Sequence, residues 1–425
     1  MRTILLVTLL LSLSATDMSA CTAAVISGRA TPDGRPLLWK HRDTGVADNR
    51  LEHFTGPRFS FTGLVNAGGN IAPSASPSDR EVWIGANTAG FSIMNTASYN
   101  IKDDDVPSSM MDREGILIYR ALGICGTIAD FENYLDTLSR PLGVEANFGV
   151  IDASGGAAVY EVNNTSYVKY DVDDPAVAPG GYLVFTNFSF SGREEDVKGY
   201  ERYLTASAIF SRAHEEGVPF TPGFITDSLS RSFRHEFMGI DYGADFRRML
   251  QEGLCGGIVP DQDFIPRRST SASVVVHGVA EGETAGHAVM WTLLGYPLCS
   301  VSVPVPVSCH DHIPSYMKSS DRSPCSGLCD MALRLKERYV FRFRLSNGSD
   351  YLDLENVLSG KEGRPSLLSC CREAEKKIRE DFCMLYRSYL SGGITYEEYL
   401  SGYDSISARF FEAYMESMSD YLYES

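Results

Sequence analysis

The residues best suited to chemistry lie in one stretch, Cys21 to Asp43, reading CTAAVISGRATPDGRPLLWKHRD. Cys21 offers a thiol, and Lys40, His41, Arg42 and Asp43 close the stretch with cations and a carboxylate. A thiolate is the reactive form of cysteine, and a nearby cation favours it. An α-amino group titrates near ~8, so a chain that began at Cys21 would hold nucleophile and base in one residue. The apolar runs on either side of Thr31-Pro32-Asp33-Gly34 have strand character, and the four residues between them read as a turn. A hairpin centred near Pro32-Asp33 would set Cys21 roughly opposite Asp43, with Lys40 close by. His41 falls on the other strand face from Lys40, which makes it a wall residue rather than a base. No G-x-S-x-G elbow supports a serine triad.

For Cys21 to lead the chain, the residues before it must be removed, and they read as an export signal. Arg2 gives the positive end, Ile4 to Leu13 the apolar stretch, and Met18-Ser19-Ala20 the approach to a cut. Periplasmic or secreted protein is therefore expected. Met18-Ser19-Ala20-Cys21 also resembles a lipobox, in which Cys21 would carry lipid and the protein would be a surface-anchored binding protein without catalysis. The apolar run is too short to cross a bilayer, and no later segment is long enough, so no membrane span is expected.

The 425 residues are 44% hydrophobic and carry a net charge of −17, which argues against a nucleic-acid partner. Setting Cys21 aside, nine of the ten cysteines remain, an odd number that cannot all pair within the chain. Cys309-His310-Asp311-His312 and Cys325-x-x-x-Cys329 carry metal-binding residue types, but their spacing matches no common zinc site, so no metal or cofactor is expected.

Along the chain, 45–80 reads as a substrate-facing loop ending in PSASPSDR. Strand, turn and strand follow over 82–95, then helices over 110–140, with Thr127 and Asp130 as a cap for the second. Strands return at 147–151, 157–162, 167–172 and 182–188. Helices are expected over 195–216 and 223–252, and buried strands over 271–279 and 288–294. Hairpins alternating with pairs of helices suit an α+β fold of antiparallel sheets covered by helices. Residues 308–330 are loop-like and Cys-rich, and 365–390 and 395–422 are helical. The division expected is signal 1–20, core 21–307, and a C-terminal extension 308–425 packed on the core.

The order CTAAVISGRATPDG, WKHRD, GANTAGFSIMN, FTNFS, RRSTSAS and MWTLLGYP, spanning about 21–305, resembles the N-terminal nucleophile (Ntn) hydrolases that use cysteine. The resemblance is to the branch of choloylglycine hydrolases, penicillin V acylases and acyl-CoA:6-aminopenicillanate acyltransferase relatives. It implies a four-layer αββα sandwich, here with a helical C-terminal extension. It implies a linear-amide hydrolase or an acyltransferase on the same machinery, with a small-molecule amide as partner and homo-oligomers common. It implies Cys21 as nucleophile, freed by signal peptidase or self-cleavage, and Lys40 as the basic residue three positions before Asp43. Lys40 stands where bile-salt hydrolases carry arginine, replacing a fork by a point charge, which counts against bile-salt specificity. Asp43 would hold the protonated amine. Asn187, in Phe185-Thr186-Asn187-Phe188, would lend its amide to an oxyanion hole, with Asn95 as a second asparagine. Of Arg267 and Arg268, Arg268 is the one expected to brace Asp43.

Overall fold

The computed structural model describes residues 20–68, 80–102, 105–344, 350–361 and 363–422. Residues 1–19 of the export segment, and the 69–79 part of the expected loop, lie outside the described residues.

Along the first half of the chain the strands are β1 (Ala20–Ile26), β2 (Leu37–Asp43), β3 (Asn49–Thr55), β4 (Ser60–Asn66), β5 (Ile84–Asn87), β6 (Ser92–Ala97), β7 (Ala146–Ile151), β8 (Ala157–Val162), β9 (Tyr167–Asp171) and β10 (Tyr182–Phe185). The short strands β11 (Arg234–His235), β12 (Ile240–Asp241) and β13 (Ile258–Pro260) come next. They are followed by β14 (Thr270–His277), β15 (Val289–Leu294), β16 (Val303–Pro306), β17 (Phe343–Arg344) and β18 (Asp350–Asp353). A six-stranded antiparallel sheet runs β10-β1-β2-β14-β15-β16, and a seven-stranded one runs β3 to β9 in chain order.

Alternation along each strand decides what lies between the sheets. Ala23, Val25 and Leu38 of the first sheet share one apolar cluster with Leu51, Ile84, Met94 and Val159 of the second. Gly149 of β7 is needed for this approach. A Cβ there would stand 2.8–2.9 Å from Met94, Leu38 and Val25 side-chain atoms. The opposite face of the first sheet, with Ala24, Trp39, Val275 and Trp291, is covered by α3 (Tyr200–Glu215) and α7 (Leu367–Leu390). The far face of the second sheet, with Phe91, Phe148 and Tyr160, is covered by α1 (Glu114–Ile124) and α2 (Ile128–Thr137). Four layers result, α-β-β-α, the architecture the resemblance implies. Thr127 caps α2 as expected, its Oγ1 accepting from the Asp130 amide at 3.1 Å.

Three expectations need correction. Cys21 pairs with Arg42, and Asp43 pairs with Ala20, so the hairpin register is one residue away from that expected. A one-residue slip exchanges faces, which matters below. Residues 49–66 are not loop but the β3–β4 hairpin, turned at Gly56-Pro57 and closed by stacked Phe54 and Phe61 rings at 5.1 Å. The 223–252 helix is broken: a short turn α4 (Pro222–Phe224) runs into a π-helical turn (Ile225–Leu229), then the β11–β12 hairpin, and only α5 (Tyr242–Gln251) is regular.

The C-terminal part is threaded into the same body. β18 pairs with β13, α6 (Gly327–Leu335) and α7 pack on the core, and α8 (Tyr396–Ser417) lies against α7. Arg231 and Glu375 form a buried ion pair at 2.6 Å, and the Tyr414 hydroxyl donates to the Cys299 carbonyl at 2.5 Å. All ten cysteines are free thiols.

Candidate active site

Cys21 lies in β1 on the face of Ala23 and Val25, so its side chain belongs to the space between the sheets. Arg42 is its direct neighbour on β2 and Lys40 the next residue on the same face. Both cations reach across to the second sheet. Lys40 Nζ donates to the Asn95 backbone carbonyl at 2.5 Å and to Asn95 Oδ1 at 2.8 Å. Arg42 donates to Asn66 Oδ1 at 2.6 Å, and its guanidinium stands 5.0 Å from the Trp83 ring centre. Burial pushes the Lys40 pKa down to about 8, against the raising field of Cys21. Burial likewise pushes Arg42 down to about 10.

The backbone of Cys21 is held at both ends. Its N–H donates to Asn187 Oδ1 at 2.8 Å, and its carbonyl accepts from Arg202 Nη1 at 2.7 Å. Arg202 also donates to Thr22 Oγ1 at 3.0 Å and to Asn187 Oδ1 at 3.2 Å, and pairs with Asp263 at 3.2 Å. Asn187 therefore meets Cys21 as an acceptor, while one of its amide hydrogens goes to the Ala97 carbonyl at 3.0 Å. Tyr99 joins the group, its backbone N–H donating to the Asn187 carbonyl at 3.1 Å. Burial, with the charge of Cys21, raises the Tyr99 hydroxyl to about 12.

Asp43 sits on the helix-facing side of the sheet with His41, away from the face of Lys40. Oδ2 accepts from Arg267 Nε at 2.9 Å and Oδ1 from Thr270 Oγ1 at 2.7 Å. The arginine that braces Asp43 is thus Arg267, not Arg268. Arg268 turns outward to Glu337 at 2.6 Å and to the Phe341 carbonyl at 3.1 Å. Neighbouring residues entering a strand point to opposite sides, and Arg267 is the one pointing to the carboxylate. Burial holds His41 neutral, its pKa pushed to about 4, consistent with a wall position.

The structure therefore gathers Cys21, Lys40, Asn95 and Asn187 about one point, sets Asp43 behind it, and leaves Arg268 out. Arg42, Arg202 and Glu114 are additions that the sequence reading did not single out as functional, and Arg267 takes the place expected of Arg268. Glu114, at the start of α1, has its carboxyl raised to about 7 by burial and adds to the field at Lys40. Arg42 was readable, since it lies inside WKHRD. Arg202, in the ordinary-looking helix YERYL, gave no local signal. Among the described residues no His/Cys/Asp/Glu group could hold a metal ion.

No family model and no curated protein matches this chain. Solved structures do. It is similar to a Caenorhabditis elegans N-acylethanolamine-hydrolyzing acid amidase ortholog, at 17% identity and TM-score 0.37, over 60% of this chain and 92% of that one. A variant of conjugated bile acid hydrolase from Clostridium perfringens has 10% identity and TM-score 0.32, over 64% of this chain and 89% of its own. Penicillin V acylase from Agrobacterium tumefaciens has 13% identity and TM-score 0.34, over 67% and 86%. At these values, the chemistry has to be argued from this chain's own side chains.

Proposed function

We propose that the mature protein is an exported amidase that begins at Cys21 and cleaves linear N-acyl amides through a thioester. The observation that carries the proposal is the double hold on the Cys21 backbone, with Asn187 Oδ1 2.8 Å from its nitrogen and Arg202 2.7 Å from its carbonyl. The β1–β10 pairing ends at Ala23 and Phe185, so at Cys21 two polar side chains take the place of a neighbouring strand. Once residues 1–20 are removed, the nitrogen held by Asn187 becomes the free α-amine. Surrounding cations, Lys40, Arg42 and Arg202, favour its neutral form, which can take the thiol proton.

The Cys21 thiolate then attacks the amide carbonyl carbon. Lys40 and the Asn95 side-chain amide, whose N–H groups no described residue accepts, lie on the nucleophile's face and supply positive charge and donors for the oxyanion. As the tetrahedral intermediate collapses, the α-ammonium returns its proton to the leaving nitrogen and an acyl thioester remains. Water, losing a proton to the amine, attacks the thioester and releases the acid; the thiolate recovers that proton. An amine acceptor in place of water would give acyl transfer on the same groups. Asp43, fixed by Arg267 and Thr270, supplies a negative charge behind the site that offsets these cations.

The test is turnover of a panel of N-acyl amides by protein that starts at Cys21. Cys21→Ser should abolish it while leaving the thermal midpoint within a few degrees. Turnover that survives this change would sink the proposal.

A further inference from the structure

A cavity of about 590 Å³ lies between the β1–β2 turn, β15 and α7, within the size range of small-molecule sites. It is on the helix-facing side of the first sheet, whereas Cys21 faces the second sheet. Trp291 and Phe382 form its apolar wall, their rings edge-on at 5.6 Å, with Phe220 beside them.

Two polar groups there are unspent. Trp291 is only 6% exposed, yet its indole N–H meets no acceptor among the described residues. Trp39, two strands away, donates the same group to Ser273 Oγ at 3.0 Å. A buried N–H without an acceptor costs about 1–3 kcal/mol and is rare enough to call for an explanation. The second group is the exposed guanidinium of Arg387, which has no carboxylate partner among the described residues. The other lining arginines are committed: Arg35 to Glu283 at 2.9 Å and Arg379 to Asp227 at 3.1 Å. An unpaired cation beside an aromatic wall, on a chain of net charge −17, is complementary to a small anion with an apolar body.

We propose that this cavity binds an aromatic carboxylate carrying a second oxygen. The ring system stacks on Trp291, Phe382 and Phe220, the oxygen accepts from the Trp291 indole N–H, and the carboxylate pairs with Arg387. This site needs neither the thiol nor the amine of Cys21.

The experiment is calorimetric titration with 6-methoxy-2-naphthylacetate, which has a ring system, an ether oxygen and a carboxylate but no amide to cleave. One saturable site per chain is expected. Arg387→Gln should weaken it roughly tenfold, and Trp291→Phe, which keeps the ring and removes the N–H, by a similar factor. The uncharged alcohol analogue should bind wild type as weakly as the acid binds Arg387→Gln. Cys21→Ser should leave binding unchanged. Arg387 is exposed on a helix, so that variant tests the proposal even if Trp291→Phe disturbs the fold. No saturable binding to wild type would overturn it. Binding that is lost in Cys21→Ser and kept in both cavity variants would also overturn it, by placing the probe between the sheets.

Discussion

Lys40 gives the sharpest physical test of the space between the sheets. Its ammonium is buried, and its pKa falls from 10.5 to about 8. The difference is worth about 3 kcal/mol of differential interaction between the charged and neutral forms. The folded-state pKa is the lower one, so between about 8 and 10.5 the unfolded chain binds more protons than the folded chain. Stability must therefore rise with pH in that window. Integrating the linkage from pH 7 to pH 9.5 gives about 2 kcal/mol from this one group. Other groups titrate over the same range, so the comparison is with Lys40→Met, which keeps much of the side-chain volume. That variant leaves the two Asn95 oxygens without their donor, a cost that does not change with pH and cancels between the two conditions. Urea unfolding of both proteins at pH 7 and 9.5, with reductant present, gives the four free energies required. Wild type should gain about 2 kcal/mol relative to Lys40→Met on going to pH 9.5. A relative change below about 0.5 kcal/mol, or one of opposite sign, would refute the picture of a buried ammonium shifted by desolvation.

Other consequences can be checked alongside. Arg267→Ala strips a fully buried Asp43 of its cation and should cost about 3–5 kcal/mol in urea unfolding, whereas Arg268→Ala, paired at the surface with Glu337, should cost less than about 1 kcal/mol. Asn187→Ala removes the acceptor that fixes the Cys21 nitrogen and should lower kcat about 10²-fold with a smaller change in KM. Glu375→Gln should cost about 3 kcal/mol by leaving the buried Arg231 only Asp227, which it shares with Arg379, as a carboxylate partner, and deletion of 308–425 should abolish cooperative unfolding altogether.

Much of the fold was legible because strand alternation and turn residues are local signals. The hairpin from Cys21 to Asp43, the strands from Ile84 to Val162 and the Thr127 cap all follow from short windows of sequence. The β1–β2 register was not, because the turn between Ile26 and Leu37 contains an extra 3-10 turn at Gly28–Ala30 that run lengths do not reveal. The 49–66 hairpin was hidden for another reason. Leu51 and Phe54 of β3 fall on opposite faces, β4 is buried on both faces with Gly63 inside it, and the Gly56-Pro57 turn lies between them, so neither strand shows a clear alternation. The site divides along the same line. Cys21, Lys40 and Asp43 are close in sequence and could be read together, whereas Arg202 reaches the Cys21 carbonyl across a separation of 181 residues. Arg268 was preferred to Arg267 because the phase of the strand entry, and so the direction of each side chain, cannot be read from an adjacent pair. The buried tyrosines of the C-terminal helices, such as Tyr403 and Tyr414, each donate a hydroxyl to a distant backbone carbonyl. No sequence window identifies those carbonyls.

The central claim is that Cys21 leads the mature chain with both its groups free. Mass spectrometry of the N-terminal peptide from protein purified out of its own cell envelope tests this directly. The account predicts a peptide that begins at Cys21 with an unmodified amine and thiol, and that gains the acyl mass on the thiol when an amide substrate is trapped by acid quench. A peptide that still carries Ala20, or a Cys21 bearing diacylglycerol, would contradict it, since neither leaves the nitrogen and sulfur that the chemistry requires.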